Sequence, residues 1–295
     1  MDEDQIVAPI SLETARRFIV KHLRPANRLD YLGGGSYSAF AVDQQLVVRF
    51  PKMPAEDADA IFQKEQALTG SLDVQPHKIP KPLKRLLPDD EIFPKPVYVY
   101  SFLDGKQGTE FPADLQLATQ AGDFLSKLHS LTTLPGLSQR TPMDVKQHWD
   151  EQHDYLQSQI NPLLQPDEQR WLAEVFASVE DVEPPALVVT HGDFNAENVL
   201  VPDPFNHLQV VDFEDIGLHD AAADFCLWWG DYGNKFLEVM LKAYTLPIDA
   251  DFHTRMRFYY NRVPVIYFRY GIENDIPNMI RFGHDALRQR MHRNP

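Results

Sequence analysis

Three side chains with hard oxygen atoms fall close together late in the chain. Two stand in Thr190-His191-Gly192-Asp193-Phe194-Asn195-Ala196-Glu197-Asn198, and the third opens Asp212-Phe213-Glu214. Asp193 and Asn198 are five positions apart, and Asp212 comes after the apolar pair Val210-Val211. Mg²⁺ takes oxygen ligands. Asp212 and Asn198 offer it one anionic and one neutral oxygen from the two sides of a short hairpin. Asp193, on the loop before Asn198, is placed to orient a hydroxyl and receive its proton. Phosphoryl transfer needs these parts: cations against the phosphate charge, and a positioned acceptor. His191 is expected to hold the loop through backbone hydrogen bonds. Taken singly, Asp and Asn at such places are turn and capping chemistry. The combination is what points to a site.

The elements that must position these groups are legible in outline. Ser11 to Leu23 reads as an amphipathic helix with Ser11 as its N-cap. Tyr31-Leu32, Gly33-Gly34-Gly35 and the alternation through Phe40 and Val42 read as strand, turn and strand. Leu46 to Phe50 is another strand, Ala55 to Leu72 a helix, and Val97 to Phe102 a further strand. The proline-rich stretch Lys78 to Pro96 reads as a connection. From Asp114 the pattern becomes helical, with helices expected at Asp114–Leu131, Val145–Ile160 and Pro166–Val179. Short strands interrupt at Leu187–Val189, Val199–Val201 and Leu208–Val211, and helices resume from Ala221. The fold class is therefore α+β, with a small β-rich lobe over residues 1–103 and a larger helical lobe over 104–295. The lobes join at Leu103-Asp104-Gly105, and a junction of this kind is a common place for a ligand.

The Asp193-to-Asn198 spacing and Asp212-Phe213-Glu214 resemble the catalytic loop and Asp-Phe-Gly of protein kinases, with Gly192 in place of arginine. The residues resemble more closely the aminoglycoside phosphotransferase family, part of the kinase-like fold that also includes choline, homoserine and fructosamine kinases. That family follows His-Gly-Asp and Asn with Asp-Phe-Glu-Asp and then Gly-Asp-Pro. Here the run is Asp212-Phe213-Glu214-Asp215-Ile216-Gly217-Leu218-His219-Asp220-Ala221-Ala222-Ala223-Asp224. His219 replaces the Gly and Ala221 the Pro. Asp220 and Asp224 are expected to cap the helix that begins near Ala221.

The resemblance spans Tyr31 to about residue 285. It implies a bilobal kinase-like fold, ATP or GTP as co-substrate and Mg²⁺ as cofactor. It implies Asp193 as the catalytic base and Asn198 and Asp212 as metal ligands. Gly33, Gly34, Gly35 and Ser36 would cover the phosphates, where glycine lets backbone N–H groups approach. Arg49 stands where kinases carry the phosphate-contacting lysine, with Lys52 as an alternative cation, and Glu65 would orient it. Tyr98 to Gly105 resembles the segment that reads the base: Ser101 and Leu103 through their backbone, Tyr100 as a bulky wall disfavouring adenine relative to guanine.

The acceptor should face Asp193 from the helical lobe. Asp215, Asp231, Glu273 and Asp275 are the acidic candidates, with Trp228, Trp229, Tyr232 and Tyr270 as walls or core. The chain has 295 residues and a formal charge of −15. Such an acidic surface repels phosphate backbones and anionic lipid, so neither nucleic acid nor membrane is an expected partner. It suits a cationic small molecule, although Arg255, Arg257, Arg262, Arg269 and Arg281 crowd the last helices. The single cysteine, Cys226, excludes an intrachain disulfide and fits a buried thiol in a cytoplasmic protein. The acidic start Met1-Asp2-Glu3-Asp4-Gln5-Ile6-Val7 lacks the order of a signal peptide. The expected activity is transfer of a γ-phosphate to a hydroxyl of a small molecule, with an aminoglycoside-like antibiotic as leading acceptor. A choline-, homoserine- or sugar-like metabolite is the alternative acceptor. A kinase-like binding module without catalysis is the alternative from another class, with Arg49 in the lysine position as its best support. Oligomeric state is not legible in the sequence.

Overall fold

Period-two alternation builds the sheet. Along β5 (Val97–Ser101), Val97 and Val99 point to one face, and Tyr98 and Tyr100 to the other. The computed structural model describes residues 10–112, 114–183 and 185–293. The acidic start of the chain lies outside them. β1 (Leu29–Gly33), β2 (Tyr37–Val42), β3 (Leu46–Pro51), β4 (Pro82–Leu86) and β5 form one antiparallel sheet in the order β1-β2-β3-β5-β4. The stretch 78–96, read from sequence as a connection, thus carries β4 at the sheet edge, where proline is tolerated.

Two helices take the two faces. α1 (Leu12–His22) is capped by Ser11, whose hydroxyl accepts the Thr14 N–H at 3.0 Å. It packs Ala15, Phe18 and Ile19 against Phe40, Val48, Phe50 and Val97. α2 (Ala55–Ser71) covers the other face with Ala58 and Phe62 against Tyr37, Tyr98 and Tyr100. Arg49 and Glu65 are on this second face, so the same alternation that makes the core aims the cation toward the helix.

Asp89 ties α1 down: its carboxylate lies 2.6 Å from His22 Nε2 and 2.7 Å from Lys21 Nζ. These hydrogen bonds hold its pKa at about 2, below the ordinary 3.8. A depressed carboxylate contributes stability above its unfolded pKa and loses it as pH falls through the folded value. Melting curves of wild type and Asp89→Asn should therefore differ at neutral pH and converge between about pH 4 and pH 2.

The second section is helical around small strand pairs. After β6 (Lys106–Gln107), Asp114 caps α3 (Leu115–Leu128), and Thr141 with Asp144 forms a capping box on α4 (Pro142–Tyr155). α5 is Pro166–Ala177. β7 (Leu187–Thr190) pairs with β10 (Gly217–Asp220), and β8 (Val199–Val201) lies between β6 and β9 (Gln209–Val210). α6 (Cys226–Ala243), α7 (Phe252–Asn261), α8 (Val263–Glu273) and α9 (Pro277–His292) complete it. Trp228 and Trp229 are core, not walls: both are buried, and Trp228 stacks on Phe236 with centroids 5.3 Å apart. The Cys226 thiol is also buried, and desolvation pushes it up to about 12. Among the described residues no helix is long and apolar enough to cross a membrane.

Backbone joins sheet and helices at two places, while side chains join them at others: Arg49 reaches Glu214, and Leu68 of α2 packs in the helical core. The chain passes through Leu103-Asp104-Gly105, where the Gln209 side chain donates to the Asp104 carbonyl. Separately, the Lys78 N–H donates to Leu208 O, and the Val210 N–H to Lys78 O, both at 2.9 Å. His77, fully buried, accepts the Leu208 N–H on Nδ1 at 3.0 Å. Its Nε2 therefore carries the proton and donates to Asp123 at 2.8 Å.

Candidate functional site

The turn after β7 begins at Gly192, whose φ of 91° lies in the left-handed region that L side chains rarely adopt. A Cβ there would also sit 2.7 Å from the Asp215 Cβ. The glycine is thus required twice, by conformation and by contact. Gly192→Ala should cost about 1–3 kcal/mol and lower turnover by moving Asp193. Chemical denaturation and steady-state kinetics on one preparation would show both.

His191 does what its position suggested. Its Nε2 donates to Val211 O at 3.0 Å, and its Nδ1 accepts the Asp193 N–H at 3.3 Å. The Phe213 ring packs on it at 4.6 Å. Asp224 corrects the sequence reading. Asp220 is a helix cap and accepts the Ala222 N–H at 3.0 Å, but Asp224 is not. It is buried and accepts the backbone N–H groups of His191 at 2.8 Å and Gly192 at 3.0 Å. It also meets His129 Nε2 at 3.0 Å, and Tyr244 OH lies 3.0 Å from the other ring nitrogen. A chain of buried hydrogen bonds from α3 and α6 thus fixes the loop that carries Asp193.

Asp193 accepts the side-chain amides of Asn195 at 3.0 Å and Asn198 at 2.9 Å. Burial raises its pKa above the ordinary carboxylate value, against the nearby His191 and these two amides. The Asn198 Nδ2 also donates to the Asp193 carbonyl at 2.9 Å. The amide's donors are therefore spent on Asp193, which turns its oxygen away from the loop. Val211 N–H donates to Asn198 O at 2.9 Å, so Asn198 and Asp212 are neighbours across the hairpin. Asp212 itself has φ 67° and a half-exposed carboxylate.

A cavity of about 390 Å³ opens between the sheet and this hairpin. Gly33, Gly34, Gly35, Arg49 and Tyr100 line it from the sheet side, Glu65 from α2, and Asn198 and Asp212 from the hairpin. Ser101 and Leu103 line its far end. The Ser101 N–H donates to Lys81 O at 3.0 Å. Among the described residues the Leu103 N–H has no backbone acceptor. Ser36 is exposed and is not among the residues lining the cavity; its carbonyl accepts the Lys52 N–H at 2.9 Å. Lys52 donates to Gly34 O at 3.1 Å and so braces the glycine turn, while Arg49 is the cation in the cavity wall.

Arg49 is heavily committed. It meets Glu65 at 3.2 Å and Asp212 at 3.6 Å, and it is hydrogen-bonded to Glu214. Its guanidinium stacks 4.0 Å from the Tyr37 ring centroid and 5.4 Å from that of Tyr100, whose hydroxyl donates to Glu65. The sequence pattern anticipated Arg49 and Glu65 as partners. It gave no sign of Glu214 or the Tyr37 stack.

Among the acidic acceptor candidates, Asp215 abuts Gly192 and its charge raises the Asp193 pKa. Asp231 is paired with Arg293 at 3.4 Å and Glu273 with Arg269 at 2.7 Å. Asp275 sits in the turn between α8 and α9 with φ 54°. Tyr270 is exposed, and the Tyr232 ring stacks on Phe236.

The donor set fits Mg²⁺. Among the described residues no three His, Cys, Asp or Glu side chains converge as a metal cage. Mg²⁺ at phosphate sites needs no cage: it uses one or two protein oxygens beside phosphate and water. Asn198 and Asp212 could supply those oxygens from one wall of the cavity.

Comparison with known proteins agrees with this geometry. The GDP and kanamycin complex of aminoglycoside phosphotransferase APH(2″)-IIIa superposes with TM-score 0.79 at 20% identity, covering 97% of this chain and 100% of that one. The GDP complex of wild-type aminoglycoside 2′-phosphotransferase-IIIa gives TM-score 0.78 at 19% identity, over 94% and 97%. Macrolide 2′-phosphotransferase MphH from Brachybacterium faecium gives 0.74 at 19% identity, over 95% and 98%. Among curated proteins no sequence matches. At these identities the structures establish the fold, a kinase-like α+β architecture. The family model of the phosphotransferase enzyme family matches residues 29–259, from β1 through α7 and across both walls of the cavity, and the chain belongs to that family.

Proposed function

We propose that the protein transfers the γ-phosphate of ATP or GTP to a hydroxyl of a small antibiotic-like molecule. The observation that carries this reading is the shared wall of Asn198 and Asp212 facing Arg49 across the cavity, with Asp193 fixed beside it. The glycine turn at Gly33–Gly35 covers the phosphates, and the Ser101 carbonyl and Leu103 N–H read the base. Mg²⁺, held by Asn198 and Asp212, would neutralise phosphate charge. Asp193 orients the acceptor hydroxyl and receives its proton as the new P–O bond forms. The Asn195 and Asn198 amides fix the Asp193 carboxylate toward that task, and Asp224 fixes the loop.

Aminoglycoside-like acceptors remain the leading class, with Asp215, beside Gly192, as the acidic acceptor candidate at the loop. A second reading has a specific observation behind it. Asp231 and Glu273 are neutralised by Arg293 and Arg269, so less acidic surface is free for a polycation than the sequence implied. That favours a sparsely charged acceptor of the macrolide kind. Coupled release of nucleoside diphosphate, run over aminoglycosides, macrolides, choline, homoserine and amino sugars, tests the proposal. Stimulation by one class names the acceptor, and silence throughout with nucleotide binding absent refutes it. The bulk of Tyr100 at the cavity wall should also give GTP a lower KM than ATP, and equal values would remove Tyr100 as a base selector.

A further inference from the structure

The cation of the phosphate subsite is already occupied. Arg49 faces three carboxylates, and the one from the Asp212-Phe213-Glu214 turn, Glu214, holds it directly by a hydrogen bond. A bridge Glu214–Arg49–Glu65 therefore crosses the cavity from the hairpin to α2. The stacking of Arg49 on Tyr37 keeps the guanidinium in this plane. A phosphate oxygen entering the cavity competes with Glu214 for the same N–H groups and meets the charge of Asp212 and Glu65 beside them. A nucleotide without a metal carries only negative charge to this place. A metal-bound nucleotide brings positive charge that compensates the carboxylates and lets Arg49 turn to phosphate.

We propose that Glu214 is a gate on the phosphate subsite: it holds Arg49 until nucleotide arrives with a divalent cation, so that the cation strengthens nucleotide binding. This rests on the reading of the cavity as a nucleotide site. Glu214 acts through Arg49 and is a positioning residue. It makes the arginine, in a position where related enzymes use lysine, a group that is withheld as well as supplied.

The test is calorimetric titration of GDP and ADP into the protein, in EDTA and in excess Mg²⁺. Wild type should bind the preferred nucleotide at least about tenfold more weakly in EDTA, the scale of one charge-assisted hydrogen bond. Glu214→Gln should bind metal-free nucleotide about tenfold more tightly than wild type and show a smaller ratio between the two conditions. A general structural defect would weaken both conditions alike and would leave the ratio unmoved. Glu214→Asp, whose shorter side chain withdraws the carboxylate from Arg49, should shift the ratio in the same direction and serves if Glu214→Gln does not fold. Unchanged or weaker metal-free binding by the variants overturns the gate while leaving the nucleotide site standing. Failure of wild type to bind either nucleotide in Mg²⁺ overturns the nucleotide reading and the gate with it.

Discussion

Asp193→Asn should lower turnover by about 10²-fold or more, because the lost group acts on the proton that leaves as the bond to phosphorus forms. The substitution keeps the side chain's shape. It replaces one acceptor oxygen with an amide that faces the donating amides of Asn195 and Asn198. Local rearrangement is therefore expected around residue 193, but Asp212, Arg49 and the glycine turn keep their places. The affinity for nucleotide in Mg²⁺ should consequently stay within a few-fold of wild type. The discriminating comparison is kcat, with the nucleotide dissociation constant measured on the same sample. Near-full turnover in Asp193→Asn would end its role as base.

The larger effect on stability is expected at Asp224. Truncation to alanine leaves two backbone N–H groups and the His129 ring nitrogen without their buried acceptor. Removing one partner from a buried ionic cluster costs about 3–5 kcal/mol. In a chain of this size that is a drop in Tm on the order of 10 °C. Asp224→Asn should lose less stability, because one oxygen remains. Its amide would face the two donors and shift the His191–Gly192 turn, so turnover should fall more than Tm does. Asp224 has its pKa lowered by His129 and by the His191 N–H, against the effect of burial. Its contribution is therefore present at neutral pH and lost as pH falls through the folded value. The Tm gap between wild type and Asp224→Asn should close on acidification, whereas a gap constant to pH 3 would show that the carboxylate charge is irrelevant.

These two residues also show what a sequence makes legible. Asp193, Asn198 and Asp212 could be found because their spacing reflects one hairpin, and the chemistry lies within about twenty positions. Arg49 and Glu65 could be paired because a strand followed by a helix on its face brings them together. Asp224 was misread because the rule available for an acidic residue near a helix start is local capping, while its partners lie 32 and 33 positions away. The Arg49–Glu214 contact joins residues separated by 165 positions and has no local signature. β4 was missed because prolines flank it, and only its edge position reconciles them with a strand. His77 drew no notice in a proline-rich stretch, since a lone histidine shows neither tautomer nor partner before the fold is known.

The double attachment at Asp104 and at Lys78 has a mechanical meaning. A body fastened to another at one point can swing in any direction, but a body fastened at two can only turn about the line that joins them. Here one fastening is the covalent crossing at Leu103–Gly105. The other is the backbone pairing of Lys78 with Leu208 and Val210, locked by the fixed tautomer of His77. Twisting and sliding of the sheet over the helices would break the second fastening. Rotation about that line widens the gap between the glycine turn and Asp212 only when the Arg49–Glu214 hydrogen bond, which spans it, is released. That bond is the latch of a door hung on the two fastenings.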